Sequence, residues 1–182
     1  MSNVTDEVKN ALSSLISGAG DVVSTTQNVA RENVVKALQN VGSVAEAGTT
    51  AVADVVTGGV EALSSTGGSL TDGVTGLVRG VVDGAKDVGV DTTEAAGEAA
   101  STVVRSVSQV GGDVGGAAVS AVKGAIDAAG DIGGDTGSLA KGAVLGAVKA
   151  ADEISSDVGS LVRKALLNAA ALPHDIIDAL LT

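Results

Sequence analysis

The stretch Asp131–Asp152 reads DIGGDTGSLAKGAVLGAVKAAD, and its pattern recurs in the segments on both sides. Gln109–Gly130 reads QVGGDVGGAAVSAVKGAIDAAG, and Glu153–His174 reads EISSDVGSLVRKALLNAAALPH. Asp87–Ser108, DVGVDTTEAAGEAASTVVRSVS, keeps the same register, which continues without insertion back to Asp21. The chain is therefore organised as about seven 22-residue repeats, and such a repeat has to be recognised before any other feature is interpreted.

Within each repeat, the apolar residues recur three and four positions apart, which is typical of a helix and not of a strand. Twenty-two residues are two elevens, and an 11-residue repeat makes three helical turns of about 3.67 residues each. The sequence therefore predicts an all-α fold built from amphipathic helices, with Asp, Ser, Thr and Gly opposite the apolar side. The residues that we assign to the apolar face are Val110, Val114, Val122, Ile126, Ile132, Val144, Val148, Ile154 and Leu161.

Three arrangements of these repeats are open. The constant helical phase favours one long amphipathic helix, which would span roughly 270 Å. Alternatively, Gly111-Gly112-Asp113 and Gly133-Gly134-Asp135 resemble a C-cap glycine followed by an N-cap aspartate. Such turns would divide the chain into helices of about 15 residues that fold into hairpins, a bundle or a solenoid. A β-solenoid with one repeat per coil is the third arrangement, and the helical spacing argues against it.

Glycine is unusually frequent, with 26 residues. Each glycine inside a helix costs about 1 kcal/mol relative to alanine, so the helices carry a handicap of roughly 25 kcal/mol if all are helical. We therefore expect order to depend on burial of the apolar face against another helix or an apolar surface. Several glycines stand four residues apart, a spacing that lets a second backbone approach closely. The glycines predicted to pack in this way are Gly76, Gly80, Gly84, Gly142 and Gly146.

The composition argues against several classes of function. The chain has no Cys, Phe, Trp or Tyr and one His, and its net charge is −11. A single imidazole cannot form a two-histidine metal site, and the acidic balance disfavours nucleic acid, which is bound through Lys and Arg. Gly111–Gly116 (GGDVGG) lacks the lysine of a phosphate-binding loop. We therefore predict a non-enzymatic protein without catalytic, cofactor or metal site.

Three segments are predicted. Residues 1–20 form an imperfect first repeat, residues 21–174 form the repeat array, and residues 175–182 form a C-terminal helical tail. The N-terminus lacks the apolar core of a secretory signal, so a cytoplasmic, granule-surface or membrane-surface location is the default expectation. The longest uncharged run, Asn10–Gly20, is too short for a transmembrane helix.

The segment Val107–Val122, VSQVGGDVGGAAVSAV, resembles the Val/Gly/Ala-rich stretches of synucleins. The 11-residue pattern over Asp21–His174 resembles that of exchangeable apolipoproteins and late-embryogenesis-abundant proteins, and it is similar in spirit to phasin-like coat proteins. These resemblances imply amphipathic helices that lie on a lipid or polymer surface. The synuclein motif KTKEGV and its rows of lysine are absent, which favours a neutral surface over an anionic one.

The first functional hypothesis is accordingly a protein that coats a neutral apolar surface such as a lipid droplet, a polymer granule or a membrane patch. The second is a structural protein that self-assembles into a bundle or filament, with the chain itself as partner in a homo-oligomer. The third is a stress-protective protein that folds on binding or drying. Insertion into lipid favours bulky side chains, whereas the apolar face of this chain consists mainly of Ala and Val. The sequence therefore supports self-assembly nearly as well as the first hypothesis.

Overall fold

A computed structural model describes residues 3–16, 21–39, 44–67 and 69–181 of the chain. These residues form helices and no strand, which confirms the all-α prediction. The helices pack as a bundle, so the apolar face of each is covered by other helices of the same chain. In order, the described helices are α1 (Asn3–Ile16), α2 (Val22–Gln39), α3 (Val44–Thr66), α4 (Leu70–Val88), α5 (Thr92–Gln109), α6 (Val114–Ile132), α7 (Thr136–Ile154), α8 (Ser156–Asn168) and α9 (His174–Leu181).

Four turns recur at the repeat interval, and each contains a glycine with a positive φ angle. These glycines are Gly67 (φ 70°), Gly89 (φ 80°), Gly111 (φ 74°) and Gly133 (φ 68°). Glycine adopts this left-handed conformation without the steric penalty that a Cβ atom would bring. The prediction of one long helix is therefore wrong, because the repeat contains one helix of 18 or 19 residues and a turn from α4 to α7. The total of seven repeats stays a prediction.

The backbone of three of these turns closes in the same way. The amide of Val90 donates to the carbonyl of Ala85 at 2.8 Å. The equivalent bonds, from Gly112 to Val107 and from Gly134 to Ala129, both measure 2.9 Å. A bond that reaches back five residues past a left-handed glycine is the Schellman motif, which satisfies carbonyl groups at the end of a helix. The turns thus end each helix at the same place in the repeat.

The next helix begins with an N-cap residue at a fixed position in the repeat. The caps are Ser69, Asp91, Asp113 and Asp135, and the side chain of each accepts hydrogen bonds from backbone amides in the first turn. At Asp135, hydrogen bonds from the hydroxyl and amide of Ser138 and the amide of Gly137 lower the pKa of the carboxyl. The Gly-Gly-Asp sequences therefore form the turns that their composition indicates.

The helices form two layers of parallel neighbours. The closest packing joins helices two apart in the chain, such as α2 with α4 and α5 with α7. We call α1, α3, α5 and α7 the odd layer, and α2, α4, α6 and α8 the even layer. From α4 to α7, short turns reverse the chain, so consecutive helices are antiparallel and lie in different layers, as in an α-solenoid.

Glycine residues allow the close approach within a layer. A Cβ atom at Gly76 would lie 2.5 Å from the carbonyl oxygen of Val23, and one at Gly84 would lie 3.0 Å from that of Arg31. Gly80, between them, faces the carbonyl of Gln27. In the odd layer, Gly142 and Gly146 of α7 lie against the backbones of Thr93 and Gly97 of α5, respectively. The five glycines named from their spacing therefore lie where two parallel helices come closest.

The layers interlock through two leucines that fill spaces opposite glycines. Leu77 of α4 lies against Gly59 of α3, and Leu63 of α3 lies against Gly73 of α4. Both leucines are fully buried, and they are among the largest side chains of a core that otherwise consists mainly of Val and Ala. Because the core has no aromatic residue, glycine on one helix and leucine on the other provide the shape complementarity that packing requires.

The two ends of the chain differ from the repeat array. The predicted boundary at residue 20 lies outside the described residues. At the other end, α9 begins at His174, and its Ile177 is fully buried while Leu180 and Leu181 are partly buried against the core. The tail predicted from residue 175 is thus helical and packed on the bundle.

Candidate interaction surface

The structure divides the residues assigned to the apolar face into three groups by burial. Val122 and Val144 are fully buried, and Val114 and Val148 are nearly so. The half-buried members are Ile126 and Ile132. The exposed members, with their exposed fractions, are Val110 (37%), Ile154 (39%) and Leu161 (50%).

The exposure of Val110 and Ile154 has a structural cause. They are equivalent positions in the repeat, and both stand at the end of a helix where the chain turns away from the core. The apolar sequence pattern continues through the turn, whereas the buried surface does not. Leu161 lies on α8 at the edge of the even layer, close to Gly115 of α6.

Ion pairs cross the outer surface between helices two apart. In each of these pairs the cation lies on the earlier helix and the acid on the later one. Such exposed pairs stabilise a fold by about 0–1 kcal/mol, so their main effect is to favour one register between parallel helices. The pairs are Lys9–Glu61 (3.8 Å), Arg31–Asp87 (2.7 Å), Arg79–Asp131 (2.8 Å) and Arg105–Glu153 (3.1 Å).

Asp83 lies in a polar groove on the even layer, and only 5% of its surface is exposed. Its Oδ2 accepts a hydrogen bond of 2.7 Å from Gln27, whereas its Oδ1 has no partner among the described residues. Burial raises the pKa of the Asp83 carboxyl above its ordinary value. The groove also contains Arg31, Arg79, Lys86, Asp87 and Asp131, so its charges balance.

At neutral pH, Asp83→Asn is expected to raise the free energy of unfolding by about 1 kcal/mol, because a buried carboxylate with an unsatisfied oxygen is replaced by a neutral group. Since the folded-state pKa is raised, the penalty of the charge is full above that pKa and falls as acid protonates Asp83. The gain should therefore shrink as the pH is lowered. Urea unfolding, followed by far-UV circular dichroism at several pH values, measures it.

The control for this substitution is Asp87→Asn, which removes an exposed partner of Arg31. That change should lower the free energy of unfolding by about 0–1 kcal/mol. If Asp83→Asn destabilises the protein at neutral pH as much as the control or more, the Asp83 carboxylate is a net stabilising group and the prediction is wrong.

The odd layer carries a cationic stripe on α7. Leu145 is 48% exposed, and Lys141 and Lys149 stand one turn away on either side. Both lysines are exposed, and neither has an ion pair within the part of the chain that the structure describes. The equivalent of Leu145 is Lys123 one repeat earlier and Leu167 one repeat later, so this position is not apolar in every repeat.

An acidic groove of about 250 Å³ lies in the same layer, between the N-terminal parts of α3 and α5. Val52 and Ala95 are buried and form an apolar floor with Val90. The rim carries three acids, Asp91, Glu94 and Glu98. Within the described residues, none of these three acids forms an ion pair.

Other polar residues have structural partners or are exposed to solvent. Asp131 pairs with Arg79, and Asp135 caps α7. His174 is exposed at the start of α9. Over the described ranges, His, Asp and Glu side chains do not gather in threes as a metal ion would need. Among the same residues, no helix has the length and apolar character to cross a membrane.

Asp83 and Leu145 are not among the candidate residues predicted from the sequence. Leu145 could have been found by aligning the repeats, because it is an apolar residue at a position that is polar in the two preceding repeats, Lys123 and Ser101. The repeats give no such indication for Asp83, because the same position is also charged in later repeats, where it holds Arg105, Asp127 and Lys149. Only the packing of α2 against α4 reveals that its carboxylate is buried.

No family model matches the chain, and no curated protein matches it significantly.

Proposed function

We propose that the chain is a non-enzymatic structural protein that assembles with copies of itself as a folded helical bundle. The observation that carries this proposal is the mode of packing between repeats. In four pairs of helices, α1 with α3, α2 with α4, α4 with α6, and α5 with α7, a glycine of the later helix lies against a backbone carbonyl of the earlier one. Within one chain, each repeat thus packs against another repeat, and the apolar faces are buried in these contacts.

The surface that remains for assembly is polar and patterned. Most of the larger apolar side chains among the described residues are buried or half-buried, and Leu145 and Leu161 are the most exposed of them. Association of folded bundles would therefore depend on charge pairing around small apolar contacts and would weaken with salt.

Sedimentation velocity over a hundredfold range of protein concentration tests the proposal, with interference optics because the chain has no aromatic residue. We expect the mass to rise above the 17.4 kDa of one chain at low salt and to return toward it near about 1 M salt, where the Debye length is about 3 Å. Helicity should not change with concentration, because each copy is already folded. A mass of one chain under all these conditions would refute the proposal.

A coat for a neutral apolar surface is a second candidate, and the turns favour it. Each helix has its own apolar face, and turns of a few residues with a left-handed glycine connect α4 to α7. The layers could separate at these turns and present several apolar faces to a lipid or polymer surface without unwinding the helices. Flotation with neutral lipid vesicles tests this candidate, and protein that stays below the vesicles would exclude it.

A further inference from the structure

The cationic stripe and the acidic groove of the odd layer are complementary in shape and charge. The stripe presents one exposed apolar side chain, Leu145, between two cations. The groove presents an apolar floor, with Val52 at its base, below a rim that includes Glu94 and Glu98. A lone exposed leucine needs no explanation, but its flanking lysines match a rim of acids that have no ion pair among the described residues.

The two features lie at the same height on neighbouring helices. Gly142 packs against Thr93 and Gly146 packs against Gly97, which aligns the middle of α7 with the first half of α5. The stripe and the groove therefore lie side by side on the solvent face of one layer. The groove lies between α3 and α5, whereas Leu145 lies on α7, which packs on α5. Leu145 therefore cannot enter the groove of its own molecule.

A two-fold rotation about an axis that lies in the plane of this face, parallel to the helices and between the stripe and the groove, turns the faces of two copies toward each other. It brings the stripe of each copy over the groove of the other, which makes the same contact twice, as a closed symmetric dimer requires. We infer that two copies of the chain dock through their odd layers, with Leu145 of each inserted in the groove of the other and Lys141 and Lys149 paired with its acidic rim. This inference rests on the proposed self-assembly and specifies its surface and its end point, a dimer.

Charge reversal on either side tests the inference. The stripe variant is Lys141→Glu with Lys149→Glu, and the groove variant is Glu94→Lys with Glu98→Lys. Each variant alone would place like charges across the contact, so we expect its dimerisation to weaken by about tenfold or more. A 1:1 mixture of the two variants should dimerise again, because the reversed stripe of one matches the reversed groove of the other.

The control reverses two lysines on the even layer, Lys86→Glu with Lys164→Glu, and changes the net charge by as much as the stripe variant. It should dimerise like the wild type apart from a small general effect of net charge. Leu145→Ser supplies a variant without a charge change, and it should also weaken dimerisation. Far-UV circular dichroism of every variant verifies that the bundle is folded; the substituted side chains are exposed except for that of Glu98, which is half-buried.

The outcomes separate the inference from the proposal on which it rests. If the wild type is monomeric at every concentration, both fail. If the wild type associates and the stripe, groove and Leu145 variants associate equally well, self-assembly stands and this surface is wrong. If the two charge-reversed variants are monomeric and their mixture does not dimerise, the pairing of stripe with groove is also wrong. Growth of the wild type beyond two copies would contradict the closed dimer.

Discussion

Substitution of Leu77 by alanine is expected to lower the free energy of unfolding by about 2–5 kcal/mol. Leu77 is fully buried at the interface of the two layers, where it occupies the space opposite Gly59. The change removes three carbon atoms from one of the largest core side chains. Gly59 has no side chain that could move into the cavity, and the surrounding Val and Ala residues are short. The cavity should therefore persist, and the loss in the free energy of unfolding should fall well inside the range for a buried leucine.

Leu161→Ala is the matched control, because the same atoms are removed from a side chain that is 50% exposed. That variant should lose less than about 1 kcal/mol, since surface substitutions have small effects. Urea unfolding followed by far-UV circular dichroism compares the two variants with the wild type. If Leu77→Ala is no more destabilising than Leu161→Ala, the interface between the layers is not packed as described.

Gly80→Ala is expected to destabilise the bundle by about 1–3 kcal/mol, although alanine is the better helix former. The new methyl group would collide with the carbonyl oxygen of Gln27, would lie 2.7 Å from the Cβ atom of Ala30 and would lie 3.0 Å from the amide nitrogen of Arg31. Two of these contacts are with backbone atoms, so no rotamer change can relieve them. The helices α2 and α4 would have to move apart, which would weaken their contact along its whole length.

The same substitution at Gly130 should have the opposite sign. Gly130 is an exposed residue of α6, and a Cβ atom there would have no neighbour within 4 Å. Gly130→Ala should therefore stabilise the protein by about 1 kcal/mol through helix propensity alone. The melting temperature, followed by circular dichroism, should rise for this variant and fall for Gly80→Ala. Stabilisation by both variants would contradict close packing of α2 on α4.

The helical class of the fold could be predicted from the sequence, because the three–four spacing of apolar residues is a local property. The choice between one helix and several could not be made from phase. Twenty-two residues are close to six helical turns, so a helix interrupted at a fixed place in every repeat keeps the same phase as an uninterrupted one. The informative residues were the glycines that precede Asp113 and Asp135. Gly89 forms the same turn, but this turn is harder to recognise in the sequence because no second glycine follows Gly89.

The candidate site depends on relations between distant repeats. A sequence gives Lys141, Lys149, Glu94 and Glu98 as exposed charges, but it does not show that α5 and α7 are neighbours. That relation follows from the packing of helices two apart, which the glycines at 142 and 146 permit and which local pattern does not specify. The same is true of Asp83, whose burial depends on the approach of α2.

The alternation of the helices between two layers makes the parity of the array important. Each helix faces the opposite direction from the one before it and lies in the other layer. Gain or loss of a single 22-residue unit would therefore invert the direction of every later helix and move it to the opposite side of the molecule. Gain or loss of two units would preserve both. Variation in the length of this protein should thus proceed in steps of two units wherever the surface that carries Leu145 must keep its place.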